Sequence, residues 1–239
     1  MTLRTRFSVQ THVGLKRKVN EDAVLSLPEL NIWLVSDGMG GHAAGDYASR
    51  LIVDMVAAIP LDLDPSDRMR ALRDTIQEAH RVIRAEAAEQ GFDVIGATVV
   101  ALLLAEGHFA ALWAGDSRLY RLRDGEIEML TTDHSVVAVL VDAGQMTWDE
   151  AENHPQSNAI TRAVGVGEEE LELDKVRGEI APGDRFLICS DGLTKYATFE
   201  MLRHSLSTQP IEMICEHLTQ IALAGGGGDN ITSAVIDII

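Results

Sequence analysis

Short apolar runs separated by turn residues recur along the chain of 239 residues and predict a protein rich in β-strands. Glycine-bearing turns such as AEGH at 105–108 and RDGE at 123–126 join neighbouring runs at hairpin distance. The strands are therefore predicted to be largely antiparallel. The predicted strands are Phe7–Val13, Ala23–Leu27, Ile32–Val35, Thr98–Leu104, Phe109–Trp113, Leu119–Leu122, Leu171–Arg177, Arg185–Cys189 and Ile231–Ile238.

Three longer segments have the apolar spacing of helices and are predicted at Ala43–Ile59, Ser66–Gln90 and Ile211–Leu223. They lie between blocks of strands, without the regular strand and helix alternation of a parallel sheet. This order indicates an α+β layered fold. The polar segment 133–158 separates two strand blocks, and we expect it to be an inserted flap beside a site.

The charge balance narrows the classes of partner. The chain has 20 Lys and Arg against 37 Asp and Glu, a formal charge of −17, which disfavours nucleic acid and anionic membrane surfaces. No apolar run is long enough to cross a bilayer, and the first ten residues lack the apolar core of a secretion signal. With only 2 cysteines, we expect reduced thiols in the cytoplasm, with one disulfide as the alternative.

No linker of biased composition divides the chain, so a single domain over residues 1–239 is expected. The chain is also large enough to bury a core without disulfides. Nothing in the sequence fixes the oligomeric state, and a monomer is the simplest expectation.

Aspartates beside glycine mark several strand ends. Asp37 and Asp191 follow the apolar runs NIWLV and RFLIC, Asp116 follows FAALWAG, and Asp229 precedes the final strand. Each one alone is typical of a turn. Together they would place several carboxylates in one region, where their mutual repulsion would be relieved by a hard divalent cation.

The sequence motifs of zinc sites, cysteine phosphatases and nucleotide-binding P-loops are absent. Zinc is disfavoured because the chain has neither HExxH nor paired CxxC motifs. A cysteine phosphatase would need an arginine six residues after Cys189, where Lys195 stands. A nucleotide-binding P-loop is absent, since the glycine run at 225–228 is not followed by lysine.

Ordered motifs then identify a family resemblance. They are RKVNEDA (17–23), VSDGMGGHAAG (35–45), GATVV (96–100), WAGDSRLY (113–120), TTDHS (131–135), ITRAVG (160–165), CSDGL (189–193) and GGDNIT (227–232). The sequence resembles the PPM family of metal-dependent protein serine/threonine phosphatases, also called type 2C phosphatases, and in particular its compact bacterial members. The resemblance covers residues 8–238.

The resemblance implies a four-layer α-β-β-α sandwich in which two antiparallel sheets pack face to face with helices outside. It also implies a centre of two Mn²⁺ or Mg²⁺ ions at one end of the sandwich. Asp37 would bridge both ions, the carbonyl of Gly38 would bind the first, and Asp191 and Asp229 would complete the second. Asp116, with Asp191, matches the position that holds a third metal.

The resemblance further implies a reaction, the hydrolysis of phosphoserine or phosphothreonine by a water that bridges the two metals. Glu21 and Asp22 fall where carboxylates bind metal-bound water. Arg17 falls where an arginine grips the substrate phosphate, although composition alone would make it a surface residue. His42 matches a general acid for the leaving oxygen, with an ordered structural histidine as the alternative.

The expected partners are phosphorylated proteins. The bacterial resemblance implies reversal of a Hanks-type Ser/Thr kinase, with the kinase itself or a forkhead-associated protein among the substrates. The alternative function is a non-catalytic phosphoprotein-binding module of the same fold. All the expected metal positions are acidic here, which favours catalysis.

Overall fold

The computed structural model describes residues 4–40, 44–91, 94–151 and 154–239. Its strands are β1 (Thr5–His12), β2 (Asp22–Leu27), β3 (Ile32–Gly40), β4 (Ile95–Ala97), β5 (Val99–Ala105), β6 (His108–Ala114), β7 (Arg118–Arg123), β8 (Glu126–Met129), β9 (Asp174–Glu179), β10 (Arg185–Cys189) and β11 (Ile231–Ile238). Its helices are α1 (Ala44–Ala57), α2 (Pro65–Gln90), α3 (Ala138–Asp142), α4 (Trp148–Ala151), α5 (Asp191–Thr194), α6 (Phe199–Thr208) and α7 (Ile211–Gly225).

The strands form two antiparallel sheets. The first has the order β1-β11-β10-β7-β8, and the second has the order β2-β3-β5-β6-β9 with β4 paired to β3. Neighbouring residues on β3 show how the sheets stack. Trp33 and Val35 pack between the sheets, whereas Ile32 and Leu34 pack against helices. This strand is apolar throughout because both of its faces are buried.

Three hydrophobic clusters join four layers. One contains Leu34 of β3 with Ile52 of α1 and Ile76 of α2. The middle cluster lies between the sheets and includes Trp33, Phe186 and Ile236, and the third joins the first sheet to α6 and α7. The predicted α+β fold, an α-β-β-α sandwich, is confirmed.

The helix ends follow ordinary capping chemistry. Pro65 occupies the first turn of α2, and Gly91 ends that helix in the left-handed conformation with φ of 68°. The side chain of Thr198 caps α6 by accepting the backbone N–H of Met201. None of the helices in the described ranges combines the length and hydropathy that a bilayer crossing requires.

Two predicted strands differ from the structure. β3 continues from Val35 to Gly40 because β4 pairs with Gly38 through Gly40, so Asp37 lies inside a strand and does not follow one. The predicted strand Leu171–Arg177 is wrong at its start, since β9 begins at Asp174. The backbone of Leu171 is bound by the side-chain amide of Gln77 on α2, with 3.1 Å from its N–H to Oε1.

The segment 133–158 contains α3 and α4 and contributes no strand to either sheet within its described residues. An isolated bridge between Ser135 and Ile160 holds its two ends together. Its action as a flap remains a prediction.

Candidate metal centre

Acidic side chains from distant parts of the chain meet at one end of the sandwich. A cavity of about 250 Å³ there is lined by Asp37 of β3, Asp116 after β6, Asp191 at the start of α5, and Asp229 before β11. The same cavity is lined by Arg17, Glu21 and Gly38. The structure thus brings most of the predicted site residues together, while His42 lies outside the described residues.

Asp22 is placed beside Asp37 by strand register. The two residues are paired opposite each other on β2 and β3. Asp22 is buried, and its Oδ2 accepts a hydrogen bond from the hydroxyl of Ser190 at 2.8 Å. Its Oδ1 is buried without a hydrogen-bond partner in the described part of the chain. Burial, together with the charge of Asp191, raises the pKa of Asp22 to about 7.

Asp37 and Asp116 are also disfavoured as bare anions. Burial, followed by the charges of Asp22 and Asp191, raises the pKa of Asp37 well above its ordinary value. Burial and then Asp191 do the same to the pKa of Asp116. A cation between these groups would oppose both shifts, because it favours the ionised carboxylates and offsets their mutual repulsion.

A hydroxyl network connects β3, which carries Asp37, to the loop after β6, which carries Asp116. The backbone N–H of Asp37 donates to Oγ1 of Thr98 at 3.0 Å, and this hydroxyl lies 2.7 Å from that of Ser117, the residue after Asp116. Ser36 donates its hydroxyl to the carbonyl of Thr98. These buried bonds fix the spacing between β3 and the loop after β6.

Asp191 and Asp229 face basic side chains. The ammonium of Lys195 lies 2.7 Å from Oδ2 of Asp191 and 3.3 Å from Oδ2 of Asp229. Arg17 donates to that same oxygen of Asp229 at 2.9 Å. Burial alone would raise the pKa of Asp229, but Lys195 and Arg17 outweigh it, so the pKa is lowered.

Two glycines allow backbone segments to meet around the cavity. A Cβ on Gly38 would lie 2.1 Å from the carbonyl oxygen of Gly45 on α1. A Cβ on Gly192 would lie 1.8 Å from the carbonyl oxygen of Asn230, so α5 could not approach the residue before β11. Glycine at 38 is therefore required for packing on α1, in addition to any role of its carbonyl.

The donor set suits a hard divalent ion, because it consists of carboxylate and carbonyl oxygens. Oδ1 of Asp22 and Oδ1 of Asp191 are buried and lack hydrogen-bond partners among the residues that the structure describes. Across the described ranges, however, no group of three or more His, Cys, Asp or Glu side chains is arranged as a finished metal site. Asp191 and Asp229 instead face Lys195 and Arg17, so metal binding would require these ion pairs to rearrange.

Two larger clefts lie elsewhere in the described structure, and their acidic side chains are either paired with arginine or exposed. One of about 610 Å³ contains Asp184 and Asp237, which are paired with Arg123 and Arg185. The other, of about 630 Å³, has only exposed Glu106 and Glu179 as its acids. Neither concentrates unpaired carboxylates as the cavity at Asp37 does.

Sequence reasoning missed Lys195 and Asn230 as parts of this region. Lys195 lies four residues after Asp191, and that spacing on a helical turn could have indicated an ion pair. The side chain of Asn230 accepts the N–H of Glu21 and donates to the carbonyls of Val13 and Val19. No local pattern indicates such contacts between the two ends of the chain.

Comparison with known proteins agrees with this fold. The family profile described as Protein phosphatase 2C matches residues 13–223. The chain therefore belongs to the protein phosphatase 2C family, and the family predicted from its motifs is confirmed.

Individual relatives are similar over nearly all of this chain. Serine/threonine protein phosphatase PstP of Mycobacterium tuberculosis is 36% identical over 240 residues, which cover 100% of this chain and 46% of that protein. The chain thus spans about half the length of this curated relative. The solved structure of PppA, described as a key regulatory component of T6SS in Pseudomonas aeruginosa, has 43% identity and a TM-score of 0.91, covering 98% of each chain.

A third comparison includes metal. The catalytic domain of serine threonine protein phosphatase PstP in complex with 2 manganese ions superposes with a TM-score of 0.90 at 34% identity, over 100% of both chains.

Proposed function

We propose that this protein is a metal-dependent phosphatase that hydrolyses phosphoserine and phosphothreonine in proteins. The observation that carries the proposal is the convergence of Asp37, Asp116, Asp191 and Asp229 on one cavity beside Arg17. The names of the relatives and the manganese in one of their structures support the same activity.

The acidic residues would hold the metals. In this proposal Asp37 would help to hold both of two Mn²⁺ or Mg²⁺ ions, the carbonyl of Gly38 would help to hold the first, and Asp191 and Asp229 would hold the second. Asp116 would contribute to a third. When bound, such ions acidify a water molecule and offset negative charge on the phosphoryl group.

Other residues would orient the reactants. The guanidinium of Arg17 would bind two phosphate oxygens through its planar fork, at a position where its side chain is 49% exposed. Glu21 and Asp22 would accept hydrogen bonds from water in the cavity. Their carboxyls suit this role because burial raises the pKa of each and makes it a better proton acceptor. The general acid assigned to His42 remains part of the proposal.

The substrates would be phosphoproteins of a bacterial Hanks-type Ser/Thr kinase, and the kinase itself would be among them. A charge of −17 requires local cations to attract an anionic phosphoryl group. Arg17 and the bound metals would supply them. We place this reaction in the cytoplasm, as the low cysteine count suggests.

The activity is tested with the purified protein, p-nitrophenyl phosphate and a phosphothreonine peptide. We expect hydrolysis in Mn²⁺ and its loss in EDTA. Asp37→Asn should abolish turnover while the protein remains folded, because the amide keeps the shape of the side chain but binds a metal poorly. Asp124→Asn is the matched control, since Asp124 is exposed in the β7–β8 turn with φ of 52°, a conformation asparagine tolerates. Metal-independent turnover, or full activity of Asp37→Asn, would contradict the proposal.

A further inference from the structure

Lys195 is held against two of the proposed metal ligands by one helical turn. Its backbone N–H donates to the carbonyl of Asp191 at 2.9 Å, which ends α5 and directs its side chain toward the cavity. The ammonium lies 2.7 Å from Oδ2 of Asp191 and 3.3 Å from Oδ2 of Asp229, and the side chain is 19% exposed. A lysine side chain is ordinarily charged at neutral pH, and two carboxylates beside it favour that form.

The oxygens of Asp229 are already occupied by protein donors. Its Oδ1 accepts the backbone N–H of Asn230 at 2.9 Å. Its Oδ2 is shared by Arg17 at 2.9 Å and Lys195 at 3.3 Å. A metal can therefore bind this carboxylate only by displacing or crowding a protein cation, and the longer contact is that of Lys195.

We infer that Lys195 is an internal cation that competes with a divalent ion for Asp191 and Asp229 and so sets the metal affinity of this position. The inference rests on the proposed function, because it takes these carboxylates as the second metal's ligands. In the metal-free protein the ammonium offsets part of the negative charge of both acids. When a metal binds, the same ammonium must move away or remain as a repelling neighbour.

Two consequences follow for a neutral side chain at this position. Methionine has nearly the same length as lysine, but within the described ranges Lys195→Met leaves Asp191 without an ion pair and Asp229 with Arg17 alone. The metal-free variant should therefore unfold at a lower temperature than the wild type, because the carboxylates of Asp191 and Asp229 have lost the ammonium that paired with them. Mn²⁺ should bind the variant more tightly, by about tenfold or more, since it no longer competes with an ammonium.

The test is calorimetric titration of Mn²⁺ into the metal-free full chain, with thermal unfolding measured in EDTA and in Mn²⁺. Lys195→Arg keeps the charge, so its affinity should be much nearer to that of the wild type than that of Lys195→Met. Lys175→Met is the matched control, since it removes the same charge from an exposed position on β9. Lys195→Gln serves as the second neutral variant if Lys195→Met does not fold.

The outcomes separate this inference from the proposed function. Tighter Mn²⁺ binding in the neutral variants, with Lys175→Met unchanged, supports competition. If the wild type and the neutral variants bind Mn²⁺ with the same affinity, the inference is overturned and the phosphatase proposal stays intact. If KM for the peptide then rises, Lys195 is a phosphate-binding residue. A folded wild type that takes up no Mn²⁺ overturns both proposals.

Discussion

Asp229 is the carboxylate of the cavity that contacts two basic side chains. Its Oδ2 receives Arg17 from the loop after β1 and Lys195 from the end of α5, although these residues are far apart in the sequence. Arg17 has the more exposed side chain, at 49% against 19% for Lys195. The two cations therefore differ in how easily a substrate reaches them, and Arg17 is better placed to exchange Asp229 for a phosphate.

Replacing Arg17 tests that assignment. A hydrogen bond to a charged group contributes about 1.5–3 kcal/mol, so Arg17→Ala should lower kcat/KM by roughly 10–100-fold. Arg17→Lys should recover only part of this, because an ammonium keeps the charge but lacks the fork. The measurement is steady-state hydrolysis of a phosphothreonine peptide.

The control for Arg17 is its neighbour Lys18, which is also exposed. Lys18→Ala removes the same charge from the same loop and should leave kcat/KM close to that of the wild type. Equal losses in both variants would mean that general charge matters at this loop and that the guanidinium has no special role.

Packing between elements holds the segment 133–158 at the edge of the site. Arg118 of β7 binds Asp133 through both carboxylate oxygens, at 2.9 Å from Nε to Oδ1 and 2.7 Å from Nη2 to Oδ2. The side chains are only 6% and 4% exposed. The guanidinium also lies 4.8 Å from the ring centre of Trp148 on α4. Arg118 therefore ties the first sheet to the start of this segment through Asp133 and to α4 through Trp148.

Breaking this pair should be costly. Arg118→Met leaves the carboxylate of Asp133 buried without its arginine, which we expect to lower the free energy of unfolding by about 3–5 kcal/mol. Adding Asp133→Asn removes the stranded charge, so the double variant should lose less than the two single losses summed. Urea unfolding measures the free energy of unfolding of the two single variants and the double variant.

An exposed arginine provides the comparison. Arg70→Met breaks a pair with Asp67 whose side chains are 67% and 47% exposed, and it should change the free energy of unfolding by less than about 1 kcal/mol. If Arg118→Met were as mild as Arg70→Met, the buried pair would not hold the segment in place.

The local or distant origin of each element explains which helices and strands the sequence could predict. The helix predicted over Ser66–Gln90 is observed as Pro65–Gln90 because its apolar positions repeat at helical spacing and Gly91 ends it. β4 and β8 were not predicted, since they have 3 and 4 residues and depend on pairing with distant strands. α6 was also missed, although the cap at Thr198 and the apolar spacing of Phe199, Leu202 and Leu206 indicate a helix.

The features of the site also divide into those that local sequence patterns indicate and those that depend on distant pairing. The aspartates could be identified because each lies next to glycine and beside an apolar run. The opposition of Asp22 and Asp37 could not, because it depends on the register between β2 and β3, and a shift by one residue would send the side chains to opposite faces. Contacts of Asn230 with Val13 and Val19 depend on the meeting of both chain ends.

Across the whole molecule, a tightly packed sandwich supports a group of acids that would be unfavourable on its own. The core layers bury Asp22 and Asp116 and partly bury Asp37 at one end of the sheets, and desolvation is the largest cause of the raised pKa of each. The free energy of folding thus tolerates local repulsion that a bound cation would relieve. Ligands that bind only the folded state raise its stability, so Mn²⁺ should raise the unfolding temperature.

The metal-free protein should consequently depend on pH through this cluster. The pKa of Asp22 rises from its ordinary value of 3.8 to about 7 on folding. Between these values the folded chain keeps a proton that the unfolded chain has lost. The stabilisation from this proton is therefore complete below about 4 and is lost as the pH rises to about 7.

Asp22→Asn removes that contribution, together with the part of the pKa shift of Asp37 that the charge of Asp22 causes. His80 and His134 have lowered pKa values and act in the opposite direction, but both remain in the variant. In EDTA, the free energy of unfolding of Asp22→Asn relative to the wild type should increase from pH 4 to about 7 and level off above it. A change in the hydrogen bond to Ser190 adds an offset that does not vary with pH. Urea unfolding at several pH values measures the difference, and a flat or falling curve would show that Asp22 is ionised throughout this range in the folded protein.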